Sequence, residues 1–232
     1  EIQEMHPCGC PVGTSITVED LFYNTPARRK FLKTDKTEGA ACVAMALRCA
    51  LGRPEIRLRC IKDGQEQFFA PGDGKTESAV YALLGRDYAA GLLPCGGECE
   101  GMAAEGFVSA PHAGKGSRAG QYFFVNGRAV RSGILQAAVE QAYKNRLLTG
   151  RFPACVLWIR LGLGAVDVNV HPTKTEVRFS DERRVFDAVY HGVLGALEAE
   201  AGTKEIRLEA PARPAAAPAP RQDSFQTLPA QD

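Results

Sequence analysis

The sequence contains no apolar run approaching the roughly 20 residues that a bilayer-crossing helix requires, which excludes a helical membrane span. It also lacks an excess of either charge: 28 Lys and Arg stand against 27 Asp and Glu, a formal net charge of +1. No whole-molecule field is available to attract a polyanion, so any nucleic-acid contact must be a local patch. Metal-binding patterns are incomplete. His6, Cys8 and Cys10 lie together, but no second CxxC or HxxxH pair completes a tetrahedral set, and no metal site is expected. The nucleophile-elbow GxSxG, the HExxH zinc helix and the kinase motif set are all missing. Eight cysteines are present, yet they are spread through helical and strand patterns in a chain long enough to bury a core unaided. They read as reduced thiols of a cytoplasmic protein, not as a disulfide scaffold. The first residues, EIQEMHPCGC, lack a secretory signal and an initiator Met, so the chain reads as a piece of a longer product.

What is present is the composition of an ordinary globular protein, 45% hydrophobic and 24% charged, sufficient for one large domain or two small ones. The end of the chain separates first. APARPAAAPAP, from Ala210 to Pro220, has four prolines and nothing to bury, and reads as an extended linker. Ahead of it, strand and helix patterns alternate. Ile16 and Val18 alternate with polar neighbours, which predicts a half-buried strand. Thr25–Pro26 predicts a short helix start, and Asp35 with Glu38 a capping box for a longer helix ending at Gly52. A hairpin is expected near Glu55–Ala70 and a domain boundary near Gly74. Beyond it come a helix at Glu77–Leu84 and strands near Gly91–Cys95 and Met102–Ala110. A type I′ hairpin around Asn126–Gly127 follows, then a helix from Gly133 to Leu148 and strands at Ala154–Leu161 and Ala165–Val170. Val185, Val189, Val193 and Leu197 mark one face of a last helix.

Two segments could carry chemistry. In VDVNVHPTKTEVRF, Pro172 stiffens a turn at the end of a strand, which makes a firm mount for the cation of Lys174; the alternative is a solvated surface lysine. In GTSITVEDLFYNTPARRKF, Gly13 permits close backbone approach and Thr14 offers a hydroxyl beside it. Arg28, Arg29, Lys30, Lys33 and Lys36 form a local cationic cluster, and Arg118, Arg128 and Arg131 flank a loop and a hairpin. Each group fits either a solvated face or contact with nucleic-acid phosphates. PGDGKT lacks the spacing of a phosphate loop. Tyr122, Phe123 and Phe124 alternate within a strand and read as core.

Three strings, GTSITVEDLFYNTPARRKFLKTDKTE, QYFFVNGRAVRS and VDVNVHPTKTEVRFSD, resemble in order and separation the MutL family of DNA mismatch-repair proteins. The resemblance runs from about Gly13 to Glu198. It implies a mixed α/β chain: the end of a GHKL ATPase sandwich domain in residues 1–74, a second, transducer-like domain with a left-handed βαβ crossover in 75–201, and a flexible linker in 202–232. It implies an ATP-gated clamp with ATP and Mg2+ as cofactors of the intact protein. Lys174 would reach the γ-phosphate from the HPxK position, and Thr14, in the GTxV-like GTSI, would join the adenine-side water network. Its implied partners are double-stranded DNA, a MutS-like mismatch-recognition protein and a second copy of itself, in a bacterial cytoplasm. Arg28, Arg29, Arg128 and Arg131 are the candidate DNA contacts. The family's general-base Glu, Mg-binding Asn, DxGxG pocket and glycine-rich lid have no counterpart here. The chain alone is therefore expected neither to hydrolyse ATP nor to hold it tightly, and no catalytic residue is assigned. A transducer from another GHKL ATPase, such as a type II topoisomerase, is an alternative that the HPxKxEVRF string disfavours; a non-enzymatic DNA- or protein-interaction module is another.

Overall fold

The computed structural model describes residues 12–99, 101–168 and 175–203. Residues 14–19 belong to no helix or strand and pair with no described strand, and Ile16 and Val18 are 83% and 73% exposed. The half-buried strand expected there is corrected. Alternating residues favour an extended chain, but a strand needs a neighbour to pair with and an apolar face to cover it. Pro26 opens helix α1 (Pro26–Arg29) as anticipated, although the Thr25 hydroxyl makes no capping bond.

Helix α2 (Asp35–Gly52) is capped one residue earlier than the Asp35–Glu38 spacing suggests. Thr34 accepts at its hydroxyl from the Thr37 N–H (3.4 Å), and Glu38 Oε1 accepts from the Lys33 N–H (2.8 Å). The Glu38 carboxylate thereby fixes the chain entering the helix, and the Thr34 hydroxyl supplements the backbone bond of the Thr37 N–H to the Thr34 carbonyl (2.8 Å). Strands β1 (Leu58–Lys62) and β2 (Gln65–Ala70) form the expected hairpin. Its tip, Asp63–Gly64, has positive φ at both residues (51° and 75°), as a type I′ turn demands. Helices α3 (Thr76–Leu84) and α4 (Arg86–Ala89) follow.

The centre of the structure is a mixed sheet of strands β3 (Leu92–Cys99), β4 (Met102–Ser109), β5 (Gln121–Val125), β6 (Arg128–Val130) and β7 (Cys155–Arg160), in the order β3-β4-β7-β5-β6. β5 and β6 are joined by Asn126–Gly127, whose φ values of 48° and 78° again fit a type I′ turn. β7 runs parallel to β5, and the connection between them carries helix α5 (Gly133–Ala142). This helix ends well before the expected Leu148. Tyr143 turns into the core, where its hydroxyl donates to the Ser109 carbonyl, and Asn145 adopts a left-handed φ of 63° that a helix cannot continue through. Strands β8 (Val166–Asp167) and β9 (Arg178–Phe179) pair antiparallel, and helix α6 (Glu182–Thr203) closes the described chain.

Alternation along the strands sends their side chains to two cores. Phe123, Val125, Leu157 and Ile159 face α5 and α6, where Leu135, Val139 and the predicted stripe Val185, Val189, Val193 and Leu197 are buried. Phe124, Val156 and Trp158 face the other way, onto Leu51 of α2, Phe68 of β2 and Val80 and Leu83 of α3. Trp158 stacks on Phe124 at 5.7 Å, and its indole N–H donates to the Leu51 carbonyl at the end of α2 (3.2 Å).

Candidate nucleotide and nucleic-acid site

Lys174 and His171 lie outside the described residues, but the chain immediately after them is tied to the sheet. The Arg131 N–H donates to the Thr175 carbonyl (2.7 Å), and Arg131 forms a parallel bridge with Glu176. Further along, Phe179 is buried in the core beneath α5 and α6. The exit of the HPTK segment is thus stitched to the end of β6. Arg128 opens that strand and Arg131 directly follows its last residue, both exposed. Thr14 is exposed in the irregular stretch ahead of α1, and Arg28 and Arg29 are exposed on the last turn of α1. The structure therefore brings Arg131 to the neighbour of Lys174, and places the α1 pair on a separate stretch of chain.

Arg118 has another role. Its guanidinium grips Glu140 with two bonds (2.6 and 2.9 Å) and lies over the Phe152 ring at 4.4 Å. The Pro111–Gly120 loop, polar in sequence, is strapped down by these contacts. The paired backbone bonds of Lys115 with Phe152 (both 2.8 Å) and the Tyr88 hydroxyl bond to the Gly120 carbonyl (2.6 Å) hold it further. The Arg118 bond, opposed by partial burial and aided by Gln121, holds the Glu140 carboxyl below its ordinary value of 4.5. A depressed carboxyl stabilises the fold above the unfolded-state value and ceases to do so as pH falls through the folded-state value. Acid unfolding of Glu140→Gln should therefore show a shallower loss of stability below about pH 5 than the parent chain. Urea midpoints measured from pH 7 to pH 3 check this; parallel pH profiles would overturn it.

In PGDGKT, Asp73 Oδ1 accepts from the Lys75 N–H (2.9 Å), so an acid occupies the ground a phosphate would need. The buried thiols are poor nucleophiles: burial pushes Cys95 up to about 12 and Cys155 higher still. Among the described residues no three His, Cys, Asp or Glu side chains are grouped to hold a metal, and no helix is long and apolar enough to cross a membrane.

The sequence reading missed a cleft of about 440 Å³ between α2, β5, β6 and α5. Met45, Arg48, Gln121, Tyr122, Arg131 and Thr175 are among the residues that line it. Arg48 passed unnoticed because a lone arginine between Leu47 and the following helical turn looks like any solvated helix position. Its only signal was that Leu47 and Leu51 assign that side of α2 to the interior.

Fold and site together define a mixed α/β protein with a cleft beside β5 and β6 that Arg48 and Arg131 help to line. A family sequence model described as DNA mismatch repair protein, C-terminal domain, matches residues 80–198. The DNA mismatch repair protein MutL of Symbiobacterium thermophilum is 48% identical over 192 residues, covering 82% of this chain and 30% of that protein. MutL of Geobacter sulfurreducens is 41% identical over 223 residues, covering 96% and 36%. The chain belongs to the MutL family of DNA mismatch-repair proteins. It spans about a third of the length of the curated relatives it matches.

Solved structures share the fold. The N-terminal domain of a DNA repair protein superposes with a TM-score of 0.63 at 21% identity, over 77% of this chain and 59% of that one. The ATPase domain of the mismatch repair endonuclease MutL of Aquifex aeolicus gives 0.51 at 22% identity, over 75% and 59%.

Proposed function

We propose that this chain is the nucleotide-sensing part of an ATP-gated mismatch-repair clamp. Residues 1–74 would complete a GHKL ATPase domain, 75–201 would form the second domain, with a left-handed crossover through β5, α5 and β7, and 202–232 would lead away as a linker. The observation that carries the reading is the anchoring of Thr175 and Glu176 to Arg131, which ties the residue following Lys174 to the sheet. Lys174 would contact the γ-phosphate of ATP, and Thr14 would serve the adenine side. ATP and Mg2+ would be cofactors of the intact protein, with most of the nucleotide held by other parts of it. A contact present with ATP and lost after hydrolysis is the differential interaction that a switch between closed and open clamps needs.

Arg28, Arg29, Arg128 and Arg131 are exposed, and none has a side-chain ion pair among the described residues, which suits them to DNA phosphates. Double-stranded DNA, a MutS-like recognition protein and a second copy of the protein would be the partners, in the cytoplasm. In the full-length protein, Lys174→Ala should weaken ATP-analogue-dependent closure about ten- to hundredfold, the effect of losing one charge-assisted contact. The melting temperature should stay unchanged. Light scattering as a function of analogue concentration measures this. Unaltered closure in that variant would refute the assignment.

A further inference from the structure

Asn126 does more than its turn requires. At the tip of the β5–β6 hairpin the type I′ turn asks it for a positive φ, which Asp or Gly would supply as well. Yet its exposed side chain also reaches the chain leaving β7, 35 positions further on. Asn126 Nδ2 donates to the Leu161 carbonyl (3.0 Å), and Asn126 Oδ1 accepts from the Leu161 N–H (3.1 Å). One carboxamide takes up both backbone groups of a single residue, and these opposed partners fix which way round the amide lies. The Asn126 backbone N–H donates to the Ile159 carbonyl (2.9 Å), at the last rung of the parallel ladder, where Val125 faces Ile159. The side chain thus adds one more rung after the hairpin backbone has turned away.

That rung lies where the chain has little stiffness of its own. Gly162 and Gly164 flank Leu163, and β8 and β9 pair over two residues each, where strands commonly run to about five or six. Ser180, the residue after β9, donates from its N–H to the Ala165 carbonyl (3.0 Å) and from its hydroxyl to the Gly164 carbonyl (3.2 Å). These bonds join the two short strands to each other, and Phe179 plants β9 in the core. The central sheet grips the upstream end at Leu161, through Asn126. It grips the downstream end at Thr175, whose carbonyl accepts from the Arg131 N–H (2.7 Å). Both grips come from the β5–β6 hairpin and the residue that follows it, and Lys174 falls between them, next to the second.

We infer that Asn126 is a positioning residue for Lys174: by fixing the exit of β7, it lets one hairpin hold both ends of residues 162–174 and so set where the lysine is delivered. The inference rests on the reading of Lys174 as the γ-phosphate contact. A cation whose chain is held on both sides gives up less freedom on meeting its phosphate. That advantage exists for a nucleotide with a γ-phosphate and is absent for ADP.

Asn126→Asp isolates the clamp from the turn. It keeps the Asp-Gly turn and an acceptor for the Leu161 N–H, but sets a carboxylate oxygen against the Leu161 carbonyl. The full-length protein is titrated calorimetrically with a non-hydrolysable ATP analogue and with ADP, as the parent, Asn126→Asp, Lys174→Ala and the double variant. Asn126→Asp should weaken the analogue about three- to tenfold and leave ADP within about twofold. Added to Lys174→Ala it should cost nothing further, because a residue that acts through another has no effect once the other is gone. Asn126→Gly, which keeps the turn and removes both side-chain bonds, should behave alike and serves if the carboxylate disturbs the fold. Unchanged analogue affinity in both Asn126 variants overturns the inference. So do equal losses for analogue and ADP, or a loss that persists in full on top of Lys174→Ala. With any of these, the reading of Lys174 stands as long as Lys174→Ala alone weakens the analogue. If Lys174→Ala is silent, that reading fails and the positioning role fails with it.

Discussion

Gly106→Ala should cost more than about 3 kcal/mol and leave the central sheet unable to close. Gly106 sits in β4 between Cys95 of β3 and Leu157 of β7, with φ at +149°. A Cβ there would lie 2.0 Å from the Val156 carbonyl oxygen and 3.0 Å from Leu157 Cα. These are backbone atoms of a neighbouring strand, so no side chain can swing aside to make room. Relief requires β4 and β7 to part, and the ladder between them supports both cores. The strained backbone contributes about 1–3 kcal/mol and the overpacking a similar amount. Against the 5–15 kcal/mol typical of whole domains, that is a large share of the stability. Gly101→Ala is the comparison: φ is +83° in the β3–β4 turn, but nothing lies within 4 Å of the added carbon. It should cost only about 1 kcal/mol. Urea denaturation of the two variants separates the cases. A Gly106→Ala midpoint as high as that of Gly101→Ala would show that the strand adjusts where the geometry says it cannot.

Sequence reading succeeded where the physics is local. The Asp63–Gly64 and Asn126–Gly127 turns need positive φ at consecutive positions, which few other pairs accept, so both hairpins were legible. The four-residue stripe of α6 was equally plain, because each of its members is buried against the sheet. Errors arose where a neighbour decides. Ile16 and Val18 carry a strand pattern but lie exposed, since alternation cannot supply a pairing partner. Helix α5 stops at Ala142 because Tyr143 finds the Ser109 carbonyl, a contact between residues 34 apart that no periodicity encodes. The candidate site divides in the same way. Arg131 was visible as a cation beside a hairpin, but its bond to Thr175 joins segments 44 positions apart. The Arg48 and Gln121 walls of the cleft come together only through the packing of α2 over the sheet. Arg118 looked like the other arginines in sequence, and only Glu140, across the fold, shows that it holds a loop in place.

Trp158→Ala should lower stability by about 3–5 kcal/mol, and its effect should be greatest at α2. This is the single tryptophan of the chain, 8% exposed, stacked on Phe124 and edge-on to Phe107 at 6.2 Å. Its N–H bond to the Leu51 carbonyl satisfies one of the acceptors that every helix leaves open at its C-terminus. Through it, the end of α2 is held to β7, and β7 leads on toward β8 and the segment that carries Lys174. Trp158→Phe separates the two contributions. It keeps a ring against Phe124 and Phe107 but removes the donor, and should cost about 1–2 kcal/mol from the unmet Leu51 carbonyl and the smaller ring. Hydrogen exchange locates the damage. In Trp158→Phe the amides of the last turn of α2 should exchange faster, while those of α6, in the other core, keep their protection. If both helices lose protection equally, the two faces of the sheet unfold as one unit, and the indole bond has no special part in tying α2 to the strand beneath it.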